Sequence, residues 1–110
     1  MMIPFIWRNR GKVGRSLSAT RRAMKRHIAA NPDCAFCGRR GPRRMDAHHI
    51  IPVSVRPDLA DVPSNLVTLC AGRCHLTVGH FNDYRHHNPA VLSLCRTASF
   101  TRATISGGLA

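Results

Sequence analysis

The sequence Asp46-Ala-His-His-Ile-Ile-Pro52 lies between two cysteine pairs, Cys34-x2-Cys37 and Cys70-x3-Cys74. Four thiols grouped two and two are the ligand set of a tetrahedral structural zinc site. Two thiols separated by two residues reach one ion from a tight turn, and a glycine directly after the first pair relieves the backbone there. The 32 residues between the pairs are enough for a β-hairpin. The spacing therefore predicts a four-cysteine zinc site whose metal closes this loop and contributes to folding.

Redox chemistry is the alternative use of a Cys-x2-Cys pair, but the thioredoxin-like strand–helix pattern that accompanies it is absent. The apolar run at residues 1–7 is too short for a signal peptide, and no segment has the length of a membrane span. A reducing cytoplasm is the expected location, and cysteines there bind metal more often than they form structural disulfides. The fifth cysteine, Cys95, lies in an apolar run and is expected to be a small core residue.

The charge of the chain is strongly positive, because 17 Lys and Arg face only 5 acidic residues, for a formal net charge of +12. Four zinc-bound thiolates would lower this to about +10. A domain this basic favours an anionic polymer as its partner, and released counterions would supply much of the affinity. An ordinary solvated basic surface is the other interpretation. All five acidic residues are aspartates, which leaves few carboxylates for catalysis.

The chain is predicted to hold one domain over residues 16–95. Its expected elements are a basic helix to about Ala30, a strand over 45–55 that Pro52 interrupts, a second strand over 65–70, a helix from near Arg73 and a short last helix over 90–95. Residues 1–15 are expected to be a basic arm, and residues 96–110, rich in Ser, Thr, Gly and Ala, a disordered tail. The cations of the basic helix either hold phosphates or face solvent, and the sequence leaves both interpretations open.

Two adjacent imidazoles, His48 and His49, lie in an apolar setting, where each needs hydrogen-bond partners when buried. Either histidine alone is more often an ordinary core residue. Together with Asn65 and His75 they form a set with three uses: metal binding, proton transfer from water near neutral pH, and fixing of a ring or backbone by an amide.

In combination, these motifs resemble the HNH endonucleases that carry a four-cysteine zinc site, small versions of which are common in phages and prophages. The resemblance covers about residues 34–80. It implies an α+β fold: a small ββα-metal (His-Me finger) core with a structural four-cysteine zinc site, flanked by an N-terminal basic helix and a short C-terminal helix. It also implies metal-dependent hydrolysis of DNA phosphodiester bonds, by nicking or by double-strand cleavage.

The resemblance assigns roles by position. His49 matches the general base, and His48 and His75 match ligands of the catalytic divalent ion. Asn65 matches the amide that fixes the hairpin and orients the base. Histidine ligands tolerate Mg²⁺ but favour Mn²⁺, Ni²⁺, Co²⁺ or Zn²⁺.

Two further residues have less specific matches: His80 as a second helix-borne ligand or phosphate contact, and Asp46 as a residue that orients a histidine. The chain departs from the common pattern at Cys70-x3-Cys74, one residue longer than usual, which could shift His75 relative to the hairpin. The loop over residues 53–64 also lacks a glycine pair that is often present there.

Two other functions remain open at this point. A non-catalytic zinc module that binds DNA or RNA would explain the charge and the cysteines, though not the four residues His48, His49, Asn65 and His75 together. The third interpretation is that the protein has a structural role in a larger protein assembly. The resemblance permits a phage terminase or another DNA-processing protein as partner, and either a monomer or a homodimer; no membrane is expected.

Overall fold

The computed structural model describes residues 17–40 and 44–108. The predicted arm over residues 1–15 lies outside these ranges. Five main elements follow one another along the chain: α1 (17–30), β1 (Met45–His49), β2 (Leu66–Cys70), α2 (Cys74–His80) and α3 (Val91–Gly108). None of the helices described is long and apolar enough to cross a membrane.

The two strands form an antiparallel hairpin in which Met45 faces Cys70 and His49 faces Leu66. Because side chains alternate along a strand, residues 46 and 48 share one face of β1 and residues 45, 47 and 49 share the other. The predicted first strand was too long: β1 ends at His49, before Pro52. The connection holds two short 3-10 turns, each begun by a proline, at Pro57–Leu59 and Pro63–Asn65.

The hydrophobic core is small and continuous with the cysteine pairs. Leu69 and Val91 are fully buried, Val67 and Val78 lie beside them, and Cys95 is 3% exposed, so its prediction as a core residue is confirmed. The cluster also contains Cys34, Cys70 and Cys74. With so few large side chains available, a metal on the thiols would supply folding energy that the apolar contacts lack.

The hairpin and α2 form a ββα unit, and the buried side chain of Asn88 links α2 to α3 by hydrogen bonds. Asn88 is 2% exposed, and its Nδ2 donates to the carbonyl of Val78 at 2.9 Å. Its Oδ1 accepts the backbone N–H of Ala90, also at 2.9 Å, just before α3 begins. The amide therefore satisfies a backbone carbonyl in the last turns of α2 and a backbone N–H at the start of α3. This α+β architecture confirms the predicted fold class.

The last helix corrects the prediction of a short helix followed by a disordered tail, because α3 continues from Val91 to Gly108. No Gly or Pro interrupts it before Gly107. The guanidinium of Arg102 donates to the backbone carbonyls of Ala35 and Phe36, within the first cysteine turn. The Ser- and Thr-rich composition suggested disorder, but this long-range contact holds the segment against the first cysteine turn.

The first helix, α1, agrees with the predicted basic helix where the structure describes it. Thr20 is 7% exposed, and Met24 and Ile28 are half-buried at the same helical face. Asn31 follows the helix, and both its backbone N–H and its Nδ2 donate to the carbonyl of His27. The carbonyl at the helix end is therefore satisfied before Pro32.

Candidate metal centre and active site

The four paired cysteines meet at one point, with their Sγ atoms all within 4.8 Å of one another. Cys37 Sγ lies 3.9 Å from Cys70 Sγ. The longer second gap does not separate the thiols, because Gly72 in that gap adopts a φ of 72°, which a residue with a Cβ rarely adopts. Gly38, directly after the first cysteine pair, also adopts a positive φ, of 76°.

The backbone around Cys34 favours its thiolate. Burial alone would raise the pKa of Cys34, but backbone N–H groups, that of Cys37 first, outweigh it and lower the pKa to about 7. The pKa of Cys74 is raised, chiefly by burial. A divalent cation would lower the pKa of every thiol here, since it stabilises the thiolate directly. Four convergent thiols fit a tetrahedral Zn²⁺.

A second cluster is formed by the three imidazoles of His48, His75 and His80. One ring nitrogen from each lies within 4.8 Å of the others. The ring centroids are 4.9 to 5.1 Å apart. His75 and His80 lie on α2, and His48 lies on β1, so the ββα unit itself assembles the cluster. The extra residue after Cys70 has not moved His75 away.

Hydrogen bonds fix the tautomers of the two α2 histidines. His75 Nδ1 lies 2.9 Å from Asp46 Oδ2, and His80 Nδ1 lies 2.6 Å from the carbonyl oxygen of His86. A carboxylate and a carbonyl only accept, so each Nδ1 carries the proton in the neutral ring. Both Nε2 atoms then present lone pairs, and they lie 3.3 Å apart. Two lone pairs this close require a proton or a cation between them.

His48 provides the third nitrogen. It is 3% exposed, and its Nε2 has no hydrogen-bond partner among the described residues. Burial, and secondarily the neighbouring His75 and His80, lower its pKa to about 3. The ring is therefore neutral near pH 7 and free to act as a ligand. An unpartnered buried nitrogen beside two convergent lone pairs fits a divalent transition metal well.

His49 lies next to this cluster but is not part of it. Its Nε2 lies 2.8 Å from the carbonyl oxygen of Ala60, across the loop that joins the strands. The partly exposed ring lines a cavity of about 340 Å³, together with Val53 and Pro57 from the loop and Arg21 and Met24 from α1. The predicted base and the predicted ligand thus have separate environments.

Asn65 holds the loop in shape. Its Oδ1 accepts the N–H of Ile51 at 2.8 Å, and its Nδ2 donates to the carbonyls of Ile51 and Leu59. Because Leu59 precedes Ala60, these bonds fix the carbonyl that contacts His49. Asn65 is 5% exposed and acts through the backbone, away from the histidine cluster.

Three residues that shape the site were not foreseen. Asn88 and Arg102 hold α3 in place, and Gly79 allows α2 to approach His48 closely. The only hint in the sequence is the Asn88-Pro89 step, because the residue before a proline tends to end a helix. The contacts of Arg102 and Gly79 join segments distant in sequence, so no local pattern indicates them.

Residues 34–81 match a family model described as HNH endonuclease. No curated protein and no solved structure matched the chain. The matched span includes both strands, α2, all four clustered cysteines and the three clustered histidines. The ββα unit is the fold that the motif resemblance predicted. Residues 34–81 of this chain therefore form a domain of the HNH endonuclease family.

Proposed function

We propose that this protein is a metal-dependent endonuclease that hydrolyses phosphodiester bonds of DNA. The observation that carries the proposal is the arrangement of His75 and His80, whose Nε2 atoms lie 3.3 Å apart beside the unpartnered Nε2 of buried His48. A purely structural histidine cluster would satisfy these nitrogens internally. The family match of the same segment supports a nuclease.

His48, His75 and His80 would hold the catalytic divalent ion, and Asp46 would orient the ring of His75 through its Nδ1. When bound, such an ion supplies positive charge to the oxygens of the phosphate in the transition state. The four cysteines would hold a separate structural zinc. Mg²⁺, Mn²⁺, Ni²⁺, Co²⁺ and Zn²⁺ are the candidate catalytic ions, and imidazole donors favour the transition metals among them.

His49 is proposed as the general base. Its Nε2–H donates to the carbonyl of Ala60, so the proton of the neutral ring lies on Nε2 and Nδ1 carries a lone pair. That nitrogen can take a proton from a water molecule as the water attacks phosphorus and the bond to the 3′ oxygen breaks. Asn65 is the positioning residue, because it fixes the loop that carries Ala60.

A plasmid-nicking assay across divalent metals tests the proposal. We expect nicking with Mn²⁺ or Ni²⁺, little without added metal, and a loss of at least a hundredfold in His49→Ala, the usual contribution of a general base. The His49→Ala protein should keep its zinc content and helicity. Nicking by His49→Ala at the rate of the natural protein would refute the assignment.

A non-catalytic zinc module that binds nucleic acid is the second candidate, supported by the net charge of +12. It predicts DNA binding without metal-dependent nicking in the assay above. A structural role in a larger machine predicts neither binding nor cleavage by the isolated chain. A role beside a phage terminase in DNA packaging, action in a host cytoplasm, and a monomeric or homodimeric state stay predictions that rest on the resemblance.

A further inference from the structure

The first helix lies against the hairpin beside the proposed base. Arg21 and Met24 of α1 line the cavity of about 340 Å³ that contains His49. The same two residues line a neighbouring cleft of about 300 Å³, whose other wall includes Asp46 of β1. Arg21 is therefore common to the surroundings of the proposed base and of the residue that orients a proposed metal ligand.

The charges of α1 are uncompensated. Residues 17–30 contain four exposed cations and no acidic residue. These cations are Arg21, Arg22, Lys25 and Arg26. None of them forms an ion pair within the described part of the chain, whereas four arginines elsewhere pair with aspartates. A helix that concentrates unpaired positive charge beside a proposed phosphodiesterase site is complementary to a nucleic-acid backbone.

The four cations are not equivalent. At 3.6 residues per turn, Arg21 borders the face that carries Thr20 and Met24, and Arg22 and Arg26 lie on the opposite side. Thr20 and Met24 are buried or half-buried, so they anchor the helix. Arg21 can thus reach a phosphate at the site, while Arg26 reaches only phosphates farther along a duplex.

We infer that α1 is the DNA-docking helix of this protein, and that Arg21 contacts the phosphate that is cleaved. The docking surface comprises Arg21, Arg22, Lys25 and Arg26. The catalytic part of this inference rests on the proposed function, whereas the docking part requires only that the protein bind DNA. A guanidinium can donate two parallel hydrogen bonds to one phosphate, which a lysine cannot match.

Binding is measured first, by fluorescence anisotropy of a labelled duplex of about 30 base pairs with His49→Ala protein and no added divalent metal. Arg21→Gln and Arg26→Gln should each weaken binding by about three- to tenfold and lower the salt slope by about one. Arg40→Gln is the control, since it removes the same charge from an exposed arginine that Asp33 already pairs. It should change the affinity less than twofold. Equal affinities of all three variants and the parent protein would overturn the inference.

Turnover at saturating DNA is measured next, in protein with His49 intact. Arg21→Gln should lower kcat by about tenfold to a hundredfold, and Arg21→Lys should recover part of it. Arg26→Gln should raise KM instead. If the Arg21→Gln protein loses its zinc, the Lys25→Gln variant is used in its place, because Lys25 lines the same cleft. If the α1 variants weaken DNA binding but the protein does not nick DNA, the proposed cleavage is refuted and the docking role of α1 stands. If the protein nicks DNA and Arg21→Gln does not change kcat, the proposed role of Arg21 is refuted.

Discussion

Gly79 of α2 approaches the ring of His48 so closely that a Cβ at position 79 would lie 3.0 Å from His48 Cε1 and 3.1 Å from His48 Nδ1. Such separations are tighter than most Cβ contacts in proteins. Gly79 is buried, and it lies between His75 and His80 on the same helix. The absence of a side chain here therefore sets the distance between the strand that carries one proposed ligand and the helix that carries two.

Gly79→Ala should weaken binding of the catalytic ion, because the His48 ring must give way by a few tenths of an ångström. We expect about a tenfold loss of Mn²⁺ affinity, measured by calorimetry on protein whose cysteines are already loaded with zinc. Thr77→Ala, an exposed position on the same helix, is the control. Unchanged Mn²⁺ affinity in Gly79→Ala would show that His48 is not a ligand or that the helix moves freely.

Asp46→Asn should leave the fold intact and lower the affinity for the same ion by about tenfold to a hundredfold. This is the usual effect of losing a carboxylate that hydrogen-bonds to a histidine ligand. The amide keeps the shape of the aspartate but removes the charge that faces His75 Nδ1 at 2.9 Å. The readouts are Mn²⁺ affinity and nicking rate. Asp61→Asn, an exposed aspartate outside the cluster, should match the natural protein; equal behaviour of the two variants would remove Asp46 from the site.

His80→Gln distinguishes a three-histidine site from the two-histidine site that the motif match alone suggested. If His80 is a ligand, we expect Mn²⁺ affinity to fall at least tenfold, with the zinc content unchanged. His87→Gln, an exposed histidine after α2, serves as the control. Normal metal affinity in His80→Gln would return the residue to its alternative role as a phosphate contact, which the nicking KM would then reveal.

The local patterns of the sequence predicted well which cysteines and histidines lie together, but not the contacts that support them. Cysteine and histidine spacing reports which groups meet, because a hairpin followed by a helix has few ways to close around two ions. The longer gap after Cys70 looked like a source of displacement, but a positive φ at Gly72 accommodates it. Composition alone favoured disorder after Cys95, and no local signal could reveal that Arg102 bonds to the turn at Phe36.

A zinc ion on the four cysteines should decide whether the domain folds. Cys70→Ser removes a buried thiol of this proposed site, and structural zinc in small domains binds with about 10–16 kcal/mol, more than a core with so few large side chains can replace. We expect the variant to lose its zinc and its cooperative unfolding transition. Metal analysis measures the zinc content, and circular dichroism measures the unfolding. Cys95→Ala is the matched control: it removes a buried thiol of the same core that is not one of the four cysteines with convergent Sγ atoms. It should lower the free energy of unfolding but keep zinc.

Arg102→Ala tests whether α3 holds the first cysteine turn in place. The guanidinium donates to the carbonyls of Ala35 and Phe36, and charged hydrogen bonds of this kind contribute about 1.5–3 kcal/mol when sheltered from water. Since Arg102 is only half-buried, we expect a loss of about 1–2 kcal/mol in the free energy of unfolding, measured in urea.

Zinc transfer to a chromophoric chelator should also accelerate, because Cys34 and Cys37 lie in the turn that is released. Arg96→Ala, an exposed arginine on the same helix, removes equal charge without this contact. Equal urea midpoints and equal zinc-release rates in the two variants would show that α3 merely lies beside the zinc site.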